Sequence, residues 1–238
     1  MLSFAEGEVT KLRREFKLIL DTEALSELCA RLSAELGGYL PPPTRIVSVY
    51  FDKPGCPLAQ RAVHTPEDCL KVRTKEYSPD IGAGGVQRVV LEVKRERHGV
   101  TQKRRVWVPR AQLQSVIHRS AGLLPLIAGG RLIPVLGVTY RRHVYQASQA
   151  WRVTVDRDIG FHHVTPQLAL SGETLTAERL GPPHFMDRRV VVEVKHLGEE
   201  LPAWLAALHP GSVRPAYSKF AEGMARVHAF AADGVLGG

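Results

Sequence analysis

Short stretches in which apolar and polar residues alternate recur along the chain: Leu12 to Leu20, Arg45 to Phe51, Cys69 to Tyr77, Val86 to Arg95, Thr101 to Val108, Gly137 to Gln146, Trp151 to Asp156 and Val190 to His196. In an extended strand successive side chains point to opposite faces, so a period of two over such lengths predicts strands, and eight of them predict a sheet or barrel. Amphipathic helices are expected between them. Asp21 or Thr22 is placed to cap a helix with Leu25, Leu28, Leu32 and Leu36 along one side, and Pro109 to open a second with Leu113, Val116 and Ile117. A third is expected from Pro202 to Leu208. The last begins near Ser218 and carries Phe220, Met224 and Val227 at i, i+4 and i+7, a stripe that reads as core packing.

The polar faces of these strands are unusual. A solvated antiparallel face meets water with a mixture of Thr, Ser, Gln and charges of both signs. Here long cations dominate, with a lone Glu among them: Lys71, Arg73 and Lys75 in CLKVRTKEY, Glu92 and Lys94 in VVLEVKRER, Lys103 and Arg105 in TQKRRVW, and Glu193 and Lys195 in VVVEVKH. Arg13, Glu15 and Lys17 in LRREFKL repeat the design. Spacing by two puts each set on one face of its strand. If the sheet closes, these faces converge in a lumen, where like charges repel unless a polyanion and a metal ion offset them. The pattern therefore predicts its ligand.

Composition narrows the class. The chain has 238 residues, 44% hydrophobic and 24% charged, which fits one large soluble β-rich domain over 1–238. Lys plus Arg number 32 against 24 Asp plus Glu, a formal charge of +8 that favours anionic partners. Aromatic residues make up 7% and are not interleaved with the basic strands, so base stacking lacks support and no nucleic-acid partner is expected. Cys29, Cys56 and Cys69 form no CxxC pair and are odd in number, which points away from a zinc cluster or a disulfide framework and toward a reducing cytoplasm. His162 and His163 are adjacent, but no third ligand stands at zinc spacing. No window approaches the roughly 20 apolar residues of a membrane span, and neither a GxxxxGK[ST] phosphate loop nor a GxSxG elbow occurs.

The series REFK, SVYFD, LKVRTK, LEVKRERHGVTQKRR, YRRHVYQ, WRVTVDRDI, VVEVKH and YSKF, in that order, resembles the catalytic domain of the VTC (vacuolar transporter chaperone) family, the polyphosphate-polymerase branch of the CYTH or triphosphate-tunnel superfamily. The resemblance covers residues 10 to 230. It implies an α+β fold built on a closed antiparallel β-barrel that forms a tunnel, with flanking helices, in which ATP donates its γ-phosphate to polyphosphate. Carried over by motif, Lys17, Arg73, Lys75, Arg142, Arg152 and Lys219 would act on the transferred phosphate. Arg61, Lys94, Lys103 and Lys195 would bind the rest of the chain, Arg61 being taken from PLAQRAV downstream of YFD; Lys71 and Arg105 join them from the shared strand faces, and Ser218 from the start of a helix, where free N–H groups favour an anion. Glu193 would hold Mn²⁺ or Mg²⁺, with Glu15 and Glu92 as helpers. The first strand departs from the superfamily's ExExK signature, since Arg13 stands where another Glu would be, and this matches VTC proteins better than acid-rich hydrolases. Eukaryotic members also carry an SPX domain and a membrane channel; this sequence shows neither, so translocation and inositol-phosphate control are not expected of it.

Phosphoryl transfer draws most of its catalysis from positioning and charge neutralisation, which a ring of Arg and Lys supplies. Two other readings stay open. A tunnel triphosphatase would deliver the γ-phosphate to water, against which the scarcity of acidic residues on the charged faces argues. A noncatalytic polyphosphate- or nucleic-acid-binding module would use the same cations. Asp156, in RVTVDRD, is expected either to bind metal or to pair with Arg152 or Arg157.

Overall fold

A computed structural model of the protein describes residues 14–35, 42–78, 87–97, 100–119, 131–146, 151–196, 203–204 and 217–229. In chain order the elements are β1 (Arg14–Leu20), α1 (Thr22–Glu35), β2 (Thr44–Asp52), α2 (Pro57–His64), β3 (Asp68–Ser78), β4 (Arg88–Arg97), β5 (Val100–Pro109), α3 (Leu113–His118), β6 (Ile133–Tyr145), β7 (Trp151–His162), α4 (Pro166–Ala169), α5 (Ala177–Leu180), β8 (Phe185–Asp187), β9 (Val190–His196) and α6 (Lys219–His228). Within the described residues all eight alternating runs fall on strands, Leu12, Arg13 and Val86 lying outside them. The sequence signals did not mark α2, α4, α5 or β8, which are short, and the helix expected from Pro202 to Leu208 lies mostly outside the described residues.

The strands pair antiparallel in the order β1-β9-β7-β6-β2-β3-β4-β5, with β8 added to β7. Among the described residues β1 and β5 do not pair with each other. The sheet is therefore an open half-barrel and not the closed barrel expected. The reason lies in what the concave side holds. An eight-stranded barrel is just wide enough inside to be filled by side chains, whereas this sheet wraps a whole helix: Phe220 of α6 stacks on Tyr50 of β2 at 4.8 Å, and Gly223 sits against Leu136 of β6 and Phe161 of β7. Lys103, Arg104 and Arg105 on the β5 edge also discourage strand addition.

Apolar packing covers both sides of the sheet. On the convex side Leu28 and Leu32 of α1 pack with Tyr145, Val153, Val155, Val190, Val192 and Val194, and Leu25 packs beside them partly buried, while Leu36 of the predicted stripe lies outside the described residues. The Thr22 hydroxyl ties the start of this helix to the Arg188 carbonyl at 2.8 Å. Helix α2 begins after Cys56, whose φ of 53° is left-handed, and its first amides are met from a distance: Asp52 accepts from the N–H of Leu58 at 3.0 Å and of Ala59 at 2.8 Å. The last residue of the SVYFD motif thus serves as a remote helix cap.

One irregularity sets which side chains reach the concave side. Between Thr139 and Arg141 of β6 the pairing with β7 slips by a residue, and Asp158 on β7 has a left-handed φ of 54°. A bulge of this kind inserts one residue and exchanges the faces beyond it. Asp156 points inward before the bulge and Phe161 points inward after it, toward α6. The alternation in the sequence stops at Asp156 because the bulge begins there.

Gly223 lets α6 approach this closely, since a Cβ there would lie 2.5 Å from Leu136 Cδ2 and 2.7 Å from Phe161 Cδ1. Gly223→Val is expected to lower stability by about 1–3 kcal/mol through overpacking. Helix propensity alone predicts the opposite sign, so an unchanged or raised thermal midpoint would show that α6 does not seat in the sheet.

Candidate functional site

The register of β3, β4 and β5 lays the charged side chains out in rows. Lys71, Lys94 and Lys103 are cross-strand neighbours, and so are Arg73, Glu92 and Arg105. On the other arm of the curl, Lys17 stands opposite Glu193, Glu15 opposite Lys195, Arg152 opposite Lys195 and Arg142 opposite Asp156. The curvature brings the arms within electrostatic reach. Lys94 feels Glu15 and Glu193, and Lys103 feels Lys195.

Glu92 is the hub of the first arm. Its side chain is fully buried and accepts from Arg73 at 2.5 and 2.8 Å and from Arg105 at 2.6 Å, with the ammonium groups of Lys103 at 3.2 Å and Lys75 at 3.3 Å. Burial alone would raise its pKa, but these four cations, Arg73 first, hold the carboxyl well below the usual carboxylate range. Lys75 is the cation whose charge is marginal, because burial, with Arg73 beside it, pushes its ammonium down to about 6. Tyr50 accepts from Arg73 at 2.9 Å and completes the set. Both oxygens of Glu92 are thus met by cations.

Asp156 organises the second arm. It receives a two-pronged contact from Arg142, 2.6 and 2.7 Å, and a third from Lys219 Nζ at 2.7 Å. This differs from both pairings expected for it. Burial opposes its ionisation, and Lys219 and Arg142 together hold it ionised, below the ordinary Asp value. Lys219 lies in the first turn of α6, where a cation opposes the helix dipole. Asp156 offsets that cost, and the Tyr140 and Tyr217 rings face the same ammonium at 4.8 and 5.8 Å. The Tyr217 hydroxyl donates to Asp187 at 2.9 Å, while Arg189 joins Asp187 to Glu222, so an ion-pair network anchors the YSKF segment. Ser218 caps α6 by accepting from the Ala221 N–H at 3.4 Å.

The remaining inward carboxylates are less enclosed. Glu193 contacts Lys195 at 2.7 Å, and Lys195 also reaches Glu15 at 3.2 Å, with Lys17 at 3.7 Å from Glu15. Against burial, Lys195 and Lys17 keep the Glu193 pKa below the ordinary value. Glu15 and Glu193, on adjacent strands and each partly exposed, supply hard oxygen donors of the kind Mg²⁺ or Mn²⁺ takes. Among the described residues no three His, Cys, Asp or Glu side chains gather as a ready metal cage, so a cation here would complete its shell with phosphate oxygens and water.

Lys94 pairs with Glu96 further along the same face. Arg61 stands apart from the concave group: it lies exposed on α2 and binds Asp68 at 2.7 Å. Sequence reasoning missed Tyr50, Tyr140 and Tyr217, because their contacts cross between elements. It also missed two aromatic residues whose signal was present. Tyr77 and Trp107 continue the inward periods Lys71, Arg73, Lys75 and Lys103, Arg105, so aromatic side chains are interleaved with the basic strands after all.

Glu92→Gln keeps the shape and leaves four cations facing one another. Removing one partner of a buried ion network costs about 3–5 kcal/mol, so the variant should unfold at a clearly lower temperature. Inorganic tripolyphosphate should recover more of the loss in the variant than it adds to the native protein. Equal stability of the two forms would show that the cations do not depend on this carboxylate.

Among solved structures, the chain is similar to a proposed adenylyl cyclase from Hippeastrum described as having a dominant triphosphatase activity, at 16% identity and a TM-score of 0.46, covering 82% of each chain. It is also similar to a proposed adenylate cyclase from Bacillus halodurans, at 9% identity and a TM-score of 0.48, covering 76% of this chain and 78% of that one. A proposed adenylate cyclase from Vibrio parahaemolyticus is similar at 9% identity and a TM-score of 0.41, covering 82% of each chain. No curated protein matches the sequence. The model of the VTC domain matches residues 12–228, nearly the whole chain and every strand of the curled sheet, and the chain belongs to the VTC domain family.

Proposed function

We propose that this chain is a polyphosphate polymerase that transfers the γ-phosphate of ATP to a growing phosphate chain along its concave face. The observation that carries the reading is the face itself: contiguous Arg and Lys side chains from β1, β3, β4, β5, β6, β7, β9 and α6 outnumber the carboxylates among them. Such a surface suits a ligand with a negative charge on every unit. In the step proposed, a terminal oxygen of the acceptor chain attacks the γ-phosphorus of ATP, the bond from that phosphorus to the β-phosphate oxygen breaks, and ADP leaves. Arg73, Arg142 and Arg152 would fix phosphate oxygens through their planar forks, while Lys17, Lys103 and Lys219 would act as point charges suited to a sliding polymer, with the buried Lys75 behind them, whose charge a bound phosphate would favour. Lys71, Lys94, Arg105 and Lys195 would hold the flanking phosphates.

Glu193, with Glu15 beside it, is the residue proposed to hold Mn²⁺ or Mg²⁺; that ion would neutralise charge on the phosphate oxygens it touches. Transfer to phosphate is favoured over transfer to water because the inward carboxylates Glu92 and Asp156 are met by several cations and poorly placed to take a proton from water, while Glu15 and Glu193 are assigned to the metal ion.

The test is incubation with ATP and Mn²⁺, with polymer and free phosphate assayed separately. Polymer supports the reading, and free phosphate alone would replace it with a triphosphatase. Glu193→Gln should cut polymer yield by about a hundred- to a thousandfold while the protein stays folded and still binds polyphosphate; near-normal synthesis would remove Glu193 from the metal site. Polyphosphate affinity should fall steeply with added salt, and a salt-independent affinity would place the polymer elsewhere.

A further inference from the structure

Two large aromatic side chains stand exposed where most others are buried. Tyr77 is 40% and Trp107 51% exposed, and their ring centroids lie 6.4 Å apart at an interplanar angle of 44°. Burying such rings is strongly favourable, so leaving a pair in water calls for an occupant. Rings tilted this far do not cover one another's faces. Both belong to the concave side, because each is two residues beyond an inward cation, Tyr77 beyond Lys75 and Trp107 beyond Arg105. Between them lies Val90, 3% exposed, which is the cross-strand neighbour of both Lys75 and Trp107 and belongs to neither apolar cluster of the core. The result is an apolar, π-faced patch at the end of a row of phosphate-binding candidates.

Resting on the reading of the concave face as a site for nucleoside triphosphate, we propose that Trp107 and Tyr77 form a platform on which the purine base of the nucleotide stacks. Two residues of strand span about 6.6 Å, so a base on Trp107 leaves a ribose's length between it and Arg105, from which the triphosphate would run on toward Lys103 and Arg73. A bare phosphate chain has no π face and gains nothing from the platform. The patch therefore separates the two substrates of one site: the nucleotide uses rings and cations, the polymer cations alone. Stacking tolerates any flat base, so the platform provides affinity for nucleotide over inorganic phosphate chains and favours the larger purines.

The experiment titrates the full chain with the β,γ-imido analogue of ATP and, separately, with inorganic tripolyphosphate. Trp107→Ala is expected to weaken the nucleotide analogue about tenfold or more and to leave tripolyphosphate unchanged; Trp107→Phe, which keeps a ring, should retain most of the nucleotide affinity. Tyr77→Ala should show the same selectivity. Unchanged nucleotide affinity in Trp107→Ala, or an equal loss for both ligands, would overturn the platform. Products made from ATP by the native protein are measured in parallel and judge the polymerase reading on their own: a protein that only hydrolyses ATP, yet loses nucleotide and not tripolyphosphate affinity in Trp107→Ala, keeps the platform and refutes the polymerase.

Discussion

The structure depends on holding many cations close together on one concave face without a ligand. In water such charges repel weakly, but as they leave solvent the repulsion rises several-fold. The fold answers with a few enclosed carboxylates, each shared among several partners. Glu92 serves Arg73, Lys75, Lys103 and Arg105, Asp156 serves Arg142 and Lys219, and Glu193 and Glu15 share Lys195. These acids act as resident counter-charges that fix where each cation points. A bound phosphate chain would meet a surface already organised, with spare positive charge left for it.

The openness of the sheet follows from the same need. Helix α6 brings Lys219 to Asp156 from inside the curl and closes the apolar part of the concave side with Phe220, Met224 and Gly223. A closed eight-stranded barrel has no room for that helix. Keeping β1 and β5 apart admits α6. The network of Asp187, Arg189, Glu222 and Tyr217 then sets the depth of its first turn, so the position of a phosphate-binding candidate is controlled by residues that need not touch phosphate.

The bulge in β7 divides the concave side into two chemistries. Before it, Arg152 and Asp156 face inward and the surface is ionic; after it, Phe161 faces inward and the surface packs against α6. A single extra residue thus separates the charged channel from the apolar plug. Beyond Lys75 on β3 and Arg105 on β5 the aromatic pair Tyr77 and Trp107 provides a second apolar patch, this one left open.

All eight main strands and the long helices were readable from the chain, because periods of two and of 3.6 are local consequences of backbone geometry. So was the inward set of cations: once Lys71, Arg73 and Lys75 share a face, any curl that turns it inward gathers them. The family, too, could be recognised from the order of these motifs. Pairing was not readable. That Asp156 would hold Arg142 and Lys219, and that Glu92 would be enclosed by four cations, depends on register, twist and the approach of α6, which act between segments far apart in sequence. Whether the sheet closes is decided likewise by what fills its interior, and only the packed structure contains that volume.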